Sequence, residues 1–350
     1  MRLTHYIASL CLGGAAILAT AWTVEAQQKQ ITVANFGGLV QDMVREIYFN
    51  PFAATGVKLV EDSRDYGIGV VRTRIEGGNN TWDVVAAEDI EVIQGCQEKL
   101  FEKIDYSKIK DADKLIADAK LDCGVGEILY NMSIAYDPAK TPEAPQSWAD
   151  FWDIKKWPGK RALYRDPRDS LEAALLADGV AAGDVYKVLA TPEGQDRAFA
   201  KIKELLPNII WYTNPGQSRQ MLASGEAAMI ATYDSGINAT NLNAGLKNKV
   251  VNNNSIRHID YWAIPKGTPN LDTAYDFLNF ATDAGRQAEL ASKMGISVPN
   301  TDAIAKVDPK VLPVLSANPD NIKTAIQSDA QFWLDNYDAL SQRFTTLIGK

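Results

Sequence analysis

The first hundred residues alternate between short apolar segments and segments with helical spacing. The apolar segments predict strands at residues 31–36, 57–60 and 82–87, and the intervening residues 39–50 and 66–76 place their apolar side chains on one helical face. The segment WDVVAA at 82–87 is almost continuously apolar, which is typical of a parallel strand covered on both faces. This alternation predicts α/β units with right-handed crossovers.

A second alternation of the same kind occupies the middle of the chain. Apolar segments predict strands at residues 159–163, 209–212 and 227–232, and helical spacing begins at Leu171 and again at Gly194. The chain has 350 residues, which is too long for one simple core and suits two domains. The sequence therefore predicts two α/β lobes.

Two segments are placed to connect these lobes. Residues 129–137 contain an apolar strand that leaves the first half, and residues 260–265 end the strand that returns to it. Two crossings imply that the first lobe contains both ends of the chain, with the second lobe inserted between them. The predicted fold is a hinged α/β clamshell with a cleft between two lobes. The predicted boundaries are 27–135 for the first part of lobe 1, 136–260 for lobe 2, and 261–350 for the rest of lobe 1 with the C-terminal helices.

Residues 1–26 have the pattern of a secretory signal peptide. Arg2 precedes an apolar run from Tyr6 to Trp22, and the run leads to a small residue at Ala26, after which cleavage is expected. The run is short for a membrane span, which needs about 20 apolar residues. An uncleaved anchor is the alternative. The pattern predicts an exported, periplasmic mature chain.

Two cysteines follow the predicted signal peptide, Cys96 and Cys123. An oxidising compartment favours a disulfide between them. A metal pair or a reactive thiol is the alternative, but no histidine or further cysteine lies near them in the sequence, as a metal site would require. We therefore predict a disulfide, no metal site and no cofactor.

The charge balance and the motifs narrow the function. The formal net charge is −8, from 36 Lys and Arg against 44 Asp and Glu, which argues against a nucleic-acid partner. The motifs of phosphate loops, zinc peptidases and serine hydrolases are absent, and His258 is the only histidine after residue 26. These features favour a binding protein over an enzyme.

The segment HIDYWAIP at residues 258–265 places one acid in an apolar strand. A lone carboxylate there requires a partner, so Asp260 is a candidate to bind a cation. Capping of the turn before Pro265 is the alternative. Tyr261 and Trp262 alternate faces in a strand, which predicts that one packs in the core and leaves the other free to approach a ligand.

Several longer stretches carry a family resemblance. They are WDVVAAEDIEVIQGCQEKLFEKID (82–105), CGVGEILYNMSIAYDP (123–138), PGKRALYRDPRDSLEAAL (158–175), LASGEAAM (222–229), DYWAIPKGTPN (260–270) and SVPN (297–300). Together they resemble the periplasmic solute-binding proteins of polyamine-type ABC importers, the spermidine/putrescine-binding group. The resemblance implies a type II-like periplasmic binding protein fold, with aromatic rings around the alkyl chain of the ligand and carboxylates at its ammonium ends.

The same resemblance implies a set of ligand-binding residues. They are Asn35, Phe36 and Gly37 after the first strand, Glu88 and Asp89 after the third, Asp166 in lobe 2, the neighbours Tyr233 and Asp234, Asp260 at the second crossing, and Gln327 near the end. Glu88 and Asp89 could instead cap the next helix, and Asp169, the other member of an acid pair with Asp166, is a candidate N-cap for the helix from Leu171. Ile296 stands where the family has a ring.

The expected ligand is a small cationic amine such as putrescine or spermidine. A monomeric binding protein would deliver it to ABC permease subunits in the inner membrane. Arg165 and Arg168 lie beside Asp166 in the sequence, and an arginine in the cleft would suit an ω-amino acid such as 4-aminobutyrate, which is the alternative ligand. A secreted hydrolase that uses cleft carboxylates is the alternative of another class.

Overall fold

A single mixed sheet runs through the protein. The structure, a computed structural model, describes residues 28–141 and 143–349, so the predicted signal peptide lies outside the described residues. Within these ranges ten strands form the sheet. They are β1 (Gln30–Asn35), β2 (Lys58–Ser63), β3 (Val84–Glu88), β4 (Lys120–Leu121), β5 (Gly124–Tyr136), β6 (Arg161–Tyr164), β7 (Ile209–Tyr212), β8 (Met229–Tyr233), β9 (Lys249–Ala263) and β10 (Ile326–Gln327).

Helices follow most of the strands, as the α/β pattern predicts. They are α1 (Gly38–Val44), which continues through a π-helical turn at Arg45–Phe49, α2 (Asn50–Ala53), α3 (Ile68–Glu76), α4 (Asp89–Gln97), α5 (Trp148–Trp152), α6 (Ser170–Ala177), α7 (Val185–Leu189), α8 (Pro192–Leu205), α9 (Pro215–Ser224), α10 (Asp234–Ala244), α11 (Leu271–Ala281), α12 (Ala284–Met294), α13 (Thr301–Ile304) and α14 (Ala330–Ile348). Over the described ranges, none of the helices combines the length and apolar character that crossing a membrane requires.

Two long antiparallel strands, β5 and β9, connect the two halves of the sheet. The strand order is β2-β1-β3-β9-β5-β8-β6-β7, with β4 and β10 paired to β5 and β9. β1 is parallel to β2 and β3, and β6 is parallel to β7 and β8. We call the half with β1 to β3 lobe 1 and the half with β6 to β8 lobe 2. The segments expected to connect the lobes are thus extended strands of one shared ribbon.

Both faces of the lobe 1 strands are covered. Along β3, Val84 and Ala86 belong to one hydrophobic cluster, whereas Val85 and Ala87 belong to another on the opposite face. This is the arrangement that the continuous apolar run predicts, because alternate side chains of a strand point to opposite faces. Lobe 2 has separate hydrophobic clusters of its own. Each half therefore has hydrophobic clusters of its own.

The C-terminal helix α14 packs into lobe 2. Its buried Trp333, Leu340 and Phe344 share a hydrophobic cluster with buried residues of α6 and α8, and the Trp333 indole N–H donates to Glu172 Oε1 at 2.7 Å. The boundary predicted for residues 261–350, lobe 1 with the C-terminal helices, stays a prediction, because α14 also reaches α4, where Gln97 Nε2 donates to Gln331 Oε1 at 3.1 Å. The apolar stripe of α14 has ordinary helical spacing, and such a stripe does not specify which core it covers.

The predicted disulfide between Cys96 and Cys123 is confirmed. The two Cα atoms are 5.7 Å apart, and the bond joins the end of α4 to the segment before β5 across 27 residues of sequence. Cys123 is buried and Cys96 is half-buried. The cross-link therefore fixes the helix that follows β3 against the start of the shared ribbon.

Removing this cross-link should lower the free energy of unfolding by about 3–4 kcal/mol in the chain-entropy model, because the unfolded chain gains the freedom of an open loop. The measurement is urea unfolding of the double variant Cys96→Ala/Cys123→Ala beside the oxidised wild type. Wild type treated with a reductant is the matched control and should lose the same amount. Equal midpoints for all three would contradict the expectation.

Candidate ligand-binding cleft

A cavity of about 320 Å³ lies between the lobes. Its walls come from both lobes and from the shared ribbon. Lobe 1 contributes Val40, Tyr66, Glu88 and Ile296; the ribbon contributes Ile128, Tyr130 and Asp260; and lobe 2 contributes Tyr164, Asp166, Arg168, Pro215, Tyr233 and Ser235. The carboxyl ends of strands carry several of these residues, since Glu88, Tyr164 and Tyr233 end β3, β6 and β8. Ligand crevices in open α/β sheets form at such strand ends.

Two acids face each other across neighbouring strands. Glu88 of β3 is paired in register with Asp260 of β9, so both side chains leave the sheet on the same face. Like charges in directly opposed positions repel each other. Burial is the largest cause that raises the pKa of Asp260 well above its ordinary range, and the charges of Glu88 and Glu127 add to the rise.

Asp260 has one short side-chain contact. The Tyr130 hydroxyl donates to Asp260 Oδ1 at 3.0 Å, and Asp260 is 8% exposed. Among residues 28–141 and 143–349, no lysine, arginine or histidine forms an ion pair with it. A buried carboxylate with a hydroxyl donor but no cation is a strong acceptor for an incoming ammonium group.

Arg168 is the cation of the cleft. Its Nη2 lies 3.5 Å from both carboxylate oxygens of Glu88, with side-chain exposures of 16% for Arg168 and 18% for Glu88. Burial acts to lower the pKa of Arg168, but the charges of Glu88 and Asp169 act to raise it. The pKa is raised overall, so the guanidinium stays charged. Within the described chain, Nε and Nη1 of Arg168 make no hydrogen bond. These donors are free for an anion.

Asp166 fixes the loop that carries Arg168. Asp166 Oδ1 accepts the backbone N–H of Arg168 at 2.8 Å, and Asp166 Oδ2 accepts the Tyr337 hydroxyl at 2.7 Å. Burial raises the pKa of Asp166, while Arg168 and Tyr337 act to lower it. Asp166 thus lines the cavity with both of its oxygens already engaged.

Aromatic rings surround the charged groups. Tyr130 meets Tyr233 edge to face at 5.0 Å between ring centroids, and it stacks on His258 at 5.5 Å. At the mouth of the cavity Tyr66 is 64% exposed and stacks on Phe36 at 4.3 Å. Ring faces of this kind pack against alkyl chains and attract cations by about 0.5–2 kcal/mol.

The structure brings some of the predicted site residues together and places others elsewhere. Glu88, Asp166, Tyr233 and Asp260 line the cavity. Asn35, Phe36, Gly37, Asp89, Asp234 and Gln327 do not. Of the two undecided arginines, Arg168 lines the cavity, whereas Arg165 is exposed at the surface. Ile296, which replaces a ring of the resembled family, is part of the lining.

The predicted residues outside the cavity have other partners. Asp234 begins α10, and its Oδ1 accepts the backbone N–H groups of Asn131 and Ser235 at 2.9 and 2.7 Å. Burial raises the pKa of Asp234 to about 6. Asp89 begins α4, and its Oδ1 accepts the backbone N–H of Ile90 at 2.7 Å. Gln327 Oε1 accepts from Arg257 Nε at 2.8 Å. Asp89 and Asp234 lie at helix starts, whereas Gln327 lies in β10 beside Arg257, so these side chains are engaged outside the cavity.

The loop after β1 also sits behind the cavity wall. Asn35 is buried, with its Nδ2 3.5 Å from Glu127 Oε1 and its Oδ1 accepting the Phe36 N–H at 2.6 Å. Phe36 reaches the cavity only through its stack on Tyr66. Gly37 precedes α1 with a φ of 78°, a conformation that favours glycine, so its backbone explains its presence.

Tyr130 and Tyr66 are cavity residues that the sequence did not single out. Tyr130 lies in the middle of β5, where its position depends on two register shifts, between Gly126 and Ile128 and between Met132 and Ile134. Tyr66 lies in the loop before α3. Tyr261 and Trp262, left open as alternatives, are both buried and neither lines the cavity.

A mixed α/β sheet in two lobes, with a charged cleft at the strand ends, defines the class of two-lobed periplasmic binding proteins, and it confirms the predicted fold class. Residues 49–321 match the family described as bacterial extracellular solute-binding protein, and the chain belongs to that family. It is therefore a solute-binding protein of an ABC importer, as expected from the sequence. Members of this family bind small ligands for delivery to membrane permeases.

Named relatives refine the resemblance. The chain is 38% identical over 341 residues to a gamma-aminobutyric acid-binding protein of Pseudomonas aeruginosa, covering 97% of this chain and 96% of that protein. It is 25% identical over 190 residues, 50% of this chain and 51% of the relative, to a putrescine/cadaverine-binding protein of the same organism. The solved structure of the Atu4243-GABA receptor superposes with a TM-score of 0.82 at 30% identity, covering 92% and 98% of the two chains.

Proposed function

We propose that this protein binds a small ω-amino acid, with 4-aminobutyrate as the first candidate, and delivers it to permease subunits in the inner membrane. The observation that carries the proposal is that one cavity contains both a buried acid without a cation, Asp260, and an arginine with free donors, Arg168. An ω-amino acid has an ammonium at one end and a carboxylate at the other. Full-length similarity to a protein named for gamma-aminobutyric acid supports the same ligand.

The ammonium end would bind at Asp260. The carboxylate already accepts the Tyr130 hydroxyl at 3.0 Å, which orients it, and no group among the described residues donates to its second oxygen. The Tyr130 and Tyr233 rings lie beside it. A charge-assisted hydrogen bond to a desolvated carboxylate is roughly twice as strong as a neutral one.

The carboxylate end would bind at Arg168. A guanidinium presents its donors in a planar fork that matches a carboxylate in a bidentate way. The contacts of Arg168 to Glu88, at 3.5 Å, are long for hydrogen bonds, so a ligand can take a share of the guanidinium without breaking a strong ion pair. The apolar chain between the two ends would pack on the tyrosine rings.

A diamine is the second candidate, and the acid content of the cleft favours it. Glu88, Asp166 and Asp260 outnumber the single arginine, and a putrescine/cadaverine-binding relative matches half of the chain. The family resemblance in the sequence favours putrescine or spermidine. The higher identity and fuller coverage of the 4-aminobutyrate-binding relative now support the ω-amino acid more strongly.

We also infer that the chain is not an enzyme, because its named relatives are binding proteins. Export to the periplasm with cleavage near Ala26, and function as a monomer, remain part of the proposal. The family's extracellular description and the Cys96–Cys123 disulfide support export, since disulfides persist in oxidising compartments. N-terminal sequencing of the mature protein, with Gln27 expected first, checks the cleavage site.

Titration calorimetry with 4-aminobutyrate, putrescine, butylamine and butyrate tests the ligand class. Each of the last two lacks one charged end of the ω-amino acid, so 4-aminobutyrate should bind at least a hundredfold more tightly than either. Ligand at 100 times its Kd should also stabilise the fold by about 2.7 kcal/mol. Tighter binding of putrescine than of 4-aminobutyrate would establish the diamine instead, and binding of none would sink the amine proposal.

A further inference from the structure

A buried histidine–aspartate pair lies directly behind the cleft. His258 Nε2 and Asp169 Oδ1 are 2.7 Å apart, and each side chain is 4% exposed. His258 lies on β9, two residues before Asp260, and Asp169 is the residue after Arg168. The pair therefore joins the shared ribbon to the lobe 2 loop that carries the arginine.

The backbone at Asp169 is strained. Its φ of 68° is in the left-handed region, which is unfavourable for a residue with a side chain. Asp169 precedes α6, as expected of an N-cap, yet its side chain makes no capping hydrogen bond there. The carboxylate contacts His258 Nε2 at 2.7 Å instead.

His258 also contacts the opposite end of the cleft. Its ring stacks on Tyr130, whose hydroxyl binds Asp260, and it meets Tyr233 edge to face at 6.1 Å. Burial acts to lower the pKa of His258 and the charge of Asp169 raises it, with a net rise. The raised pKa favours the protonated imidazole ring, whose Nε2–H donates to Asp169.

We infer that the His258–Asp169 pair is a positioning device that holds Arg168 in the cleft and so determines the preference for a ligand carboxylate. This inference rests on the proposed ω-amino acid function. Within residues 28–141 and 143–349, the Arg168 side chain has only the long contacts with Glu88, so its direction depends on its backbone. That backbone is held on one side by Asp166 and on the other by Asp169.

The test measures carboxylate preference, defined as the Kd for 4-aminobutyramide divided by the Kd for 4-aminobutyrate. The amide keeps the ammonium end and removes the charge that Arg168 would bind. His258→Leu removes the donor while keeping bulk, and we expect the preference to fall at least tenfold. His258→Gln retains a donor near the position of Nε2 and should restore the preference to within about threefold of wild type.

Asp169→Gly provides an independent variant that does not depend on the histidine. Glycine tolerates the positive φ, so the loop can fold without strain but without its tether, and the preference should again fall at least tenfold. Circular dichroism confirms that each variant is folded. If His258→Leu is not, Asp169→Gly alone decides the question.

The outcomes separate this inference from the proposed function. Wild type that binds neither compound contradicts the ω-amino acid function itself. The proposed function stands if wild type prefers 4-aminobutyrate. The positioning role is overturned if, in addition, His258→Leu and Asp169→Gly lose affinity for both compounds equally or lose none. The pair would then serve only general folding.

Discussion

We expect Asp260→Asn to weaken 4-aminobutyrate binding by at least a hundredfold. The substitution keeps the size of the side chain and the contact with Tyr130, but it removes the negative charge that faces the ligand ammonium. Breaking one partner of a buried ion pair costs about 3–5 kcal/mol, and each 1.4 kcal/mol is about a tenfold change in Kd. Titration calorimetry at neutral pH measures the loss.

Loss of binding in this variant should not reflect unfolding. The folded-state pKa of Asp260 is raised, so the folded protein holds this proton more tightly than the unfolded chain, and ionisation at higher pH costs stability. Asparagine cannot ionise. Ligand-free Asp260→Asn should therefore melt at or above the wild-type temperature at neutral pH, and the difference should shrink as the pH falls toward the unfolded pKa.

The same raised pKa gives ligand binding a pH dependence. An ammonium group binds the ionised form of Asp260, so affinity should decrease as the pH falls below the pKa of the ligand-free protein. Binding above that point should be independent of this group. Asp320→Asn, at an exposed aspartate paired with Lys323, is the matched control. Its Kd for 4-aminobutyrate should have the wild-type value and the wild-type pH dependence. An unchanged Kd in Asp260→Asn would remove Asp260 from the site.

Arg168→Met should abolish the preference for a carboxylate and favour diamines. The loss of the guanidinium should weaken 4-aminobutyrate at least a hundredfold, for the same reason that a broken buried ion pair is costly. It also frees Glu88, which adds an acid to the cleft, so putrescine should bind as tightly as in wild type or more tightly. Competition between the two ligands in one titration measures the change in selectivity.

Two further variants sharpen the result for Arg168. Arg168→Lys keeps the charge but not the planar fork, so its affinity should fall between wild type and Arg168→Met. Arg165→Met alters an exposed arginine in the same loop and should bind normally. Retention of 4-aminobutyrate affinity in Arg168→Met would contradict the assignment of the carboxylate end.

The sequence could predict the strand-end part of the site. Asp260 was identifiable because a lone acid in an apolar strand needs a partner, whereas Glu88 and Tyr233, which end strands in the structure, followed from the family resemblance. Neighbouring positions were harder, since Asp89 and Asp234 begin helices one residue later and turn to backbone partners. A shift of one residue changes the direction of a side chain. A sequence pattern locates the end of a strand to within one residue only where the pattern is clearest.

The rest of the site depends on contacts between distant segments. Tyr130 reaches Asp260 through the pairing of β5 with β9, in which Tyr130 lies opposite His258 and Ile128 lies opposite Asp260. The loop that carries Arg168 is contacted by Tyr337, which donates to Asp166, and by His258, which pairs with Asp169, and both come from distant parts of the chain. The packing of α14 on α6 and α8 likewise joins segments that are distant in the sequence. Local periodicity contains no information about these pairings, so the choice between a diamine and an ω-amino acid stayed open.

The position of the cleft on the shared ribbon has a mechanical consequence. Tyr130, His258 and Asp260 lie on β5 and β9 themselves, the two strands that continue from one lobe into the other. Any relative rotation of the lobes must twist or bend this ribbon, so these residues sit near the axis of rotation. A small rotation about such an axis displaces atoms at the rim much farther than atoms beside the axis. A ligand of only a few atoms that changes the twist of this ribbon can therefore change the relative orientation of the two lobes.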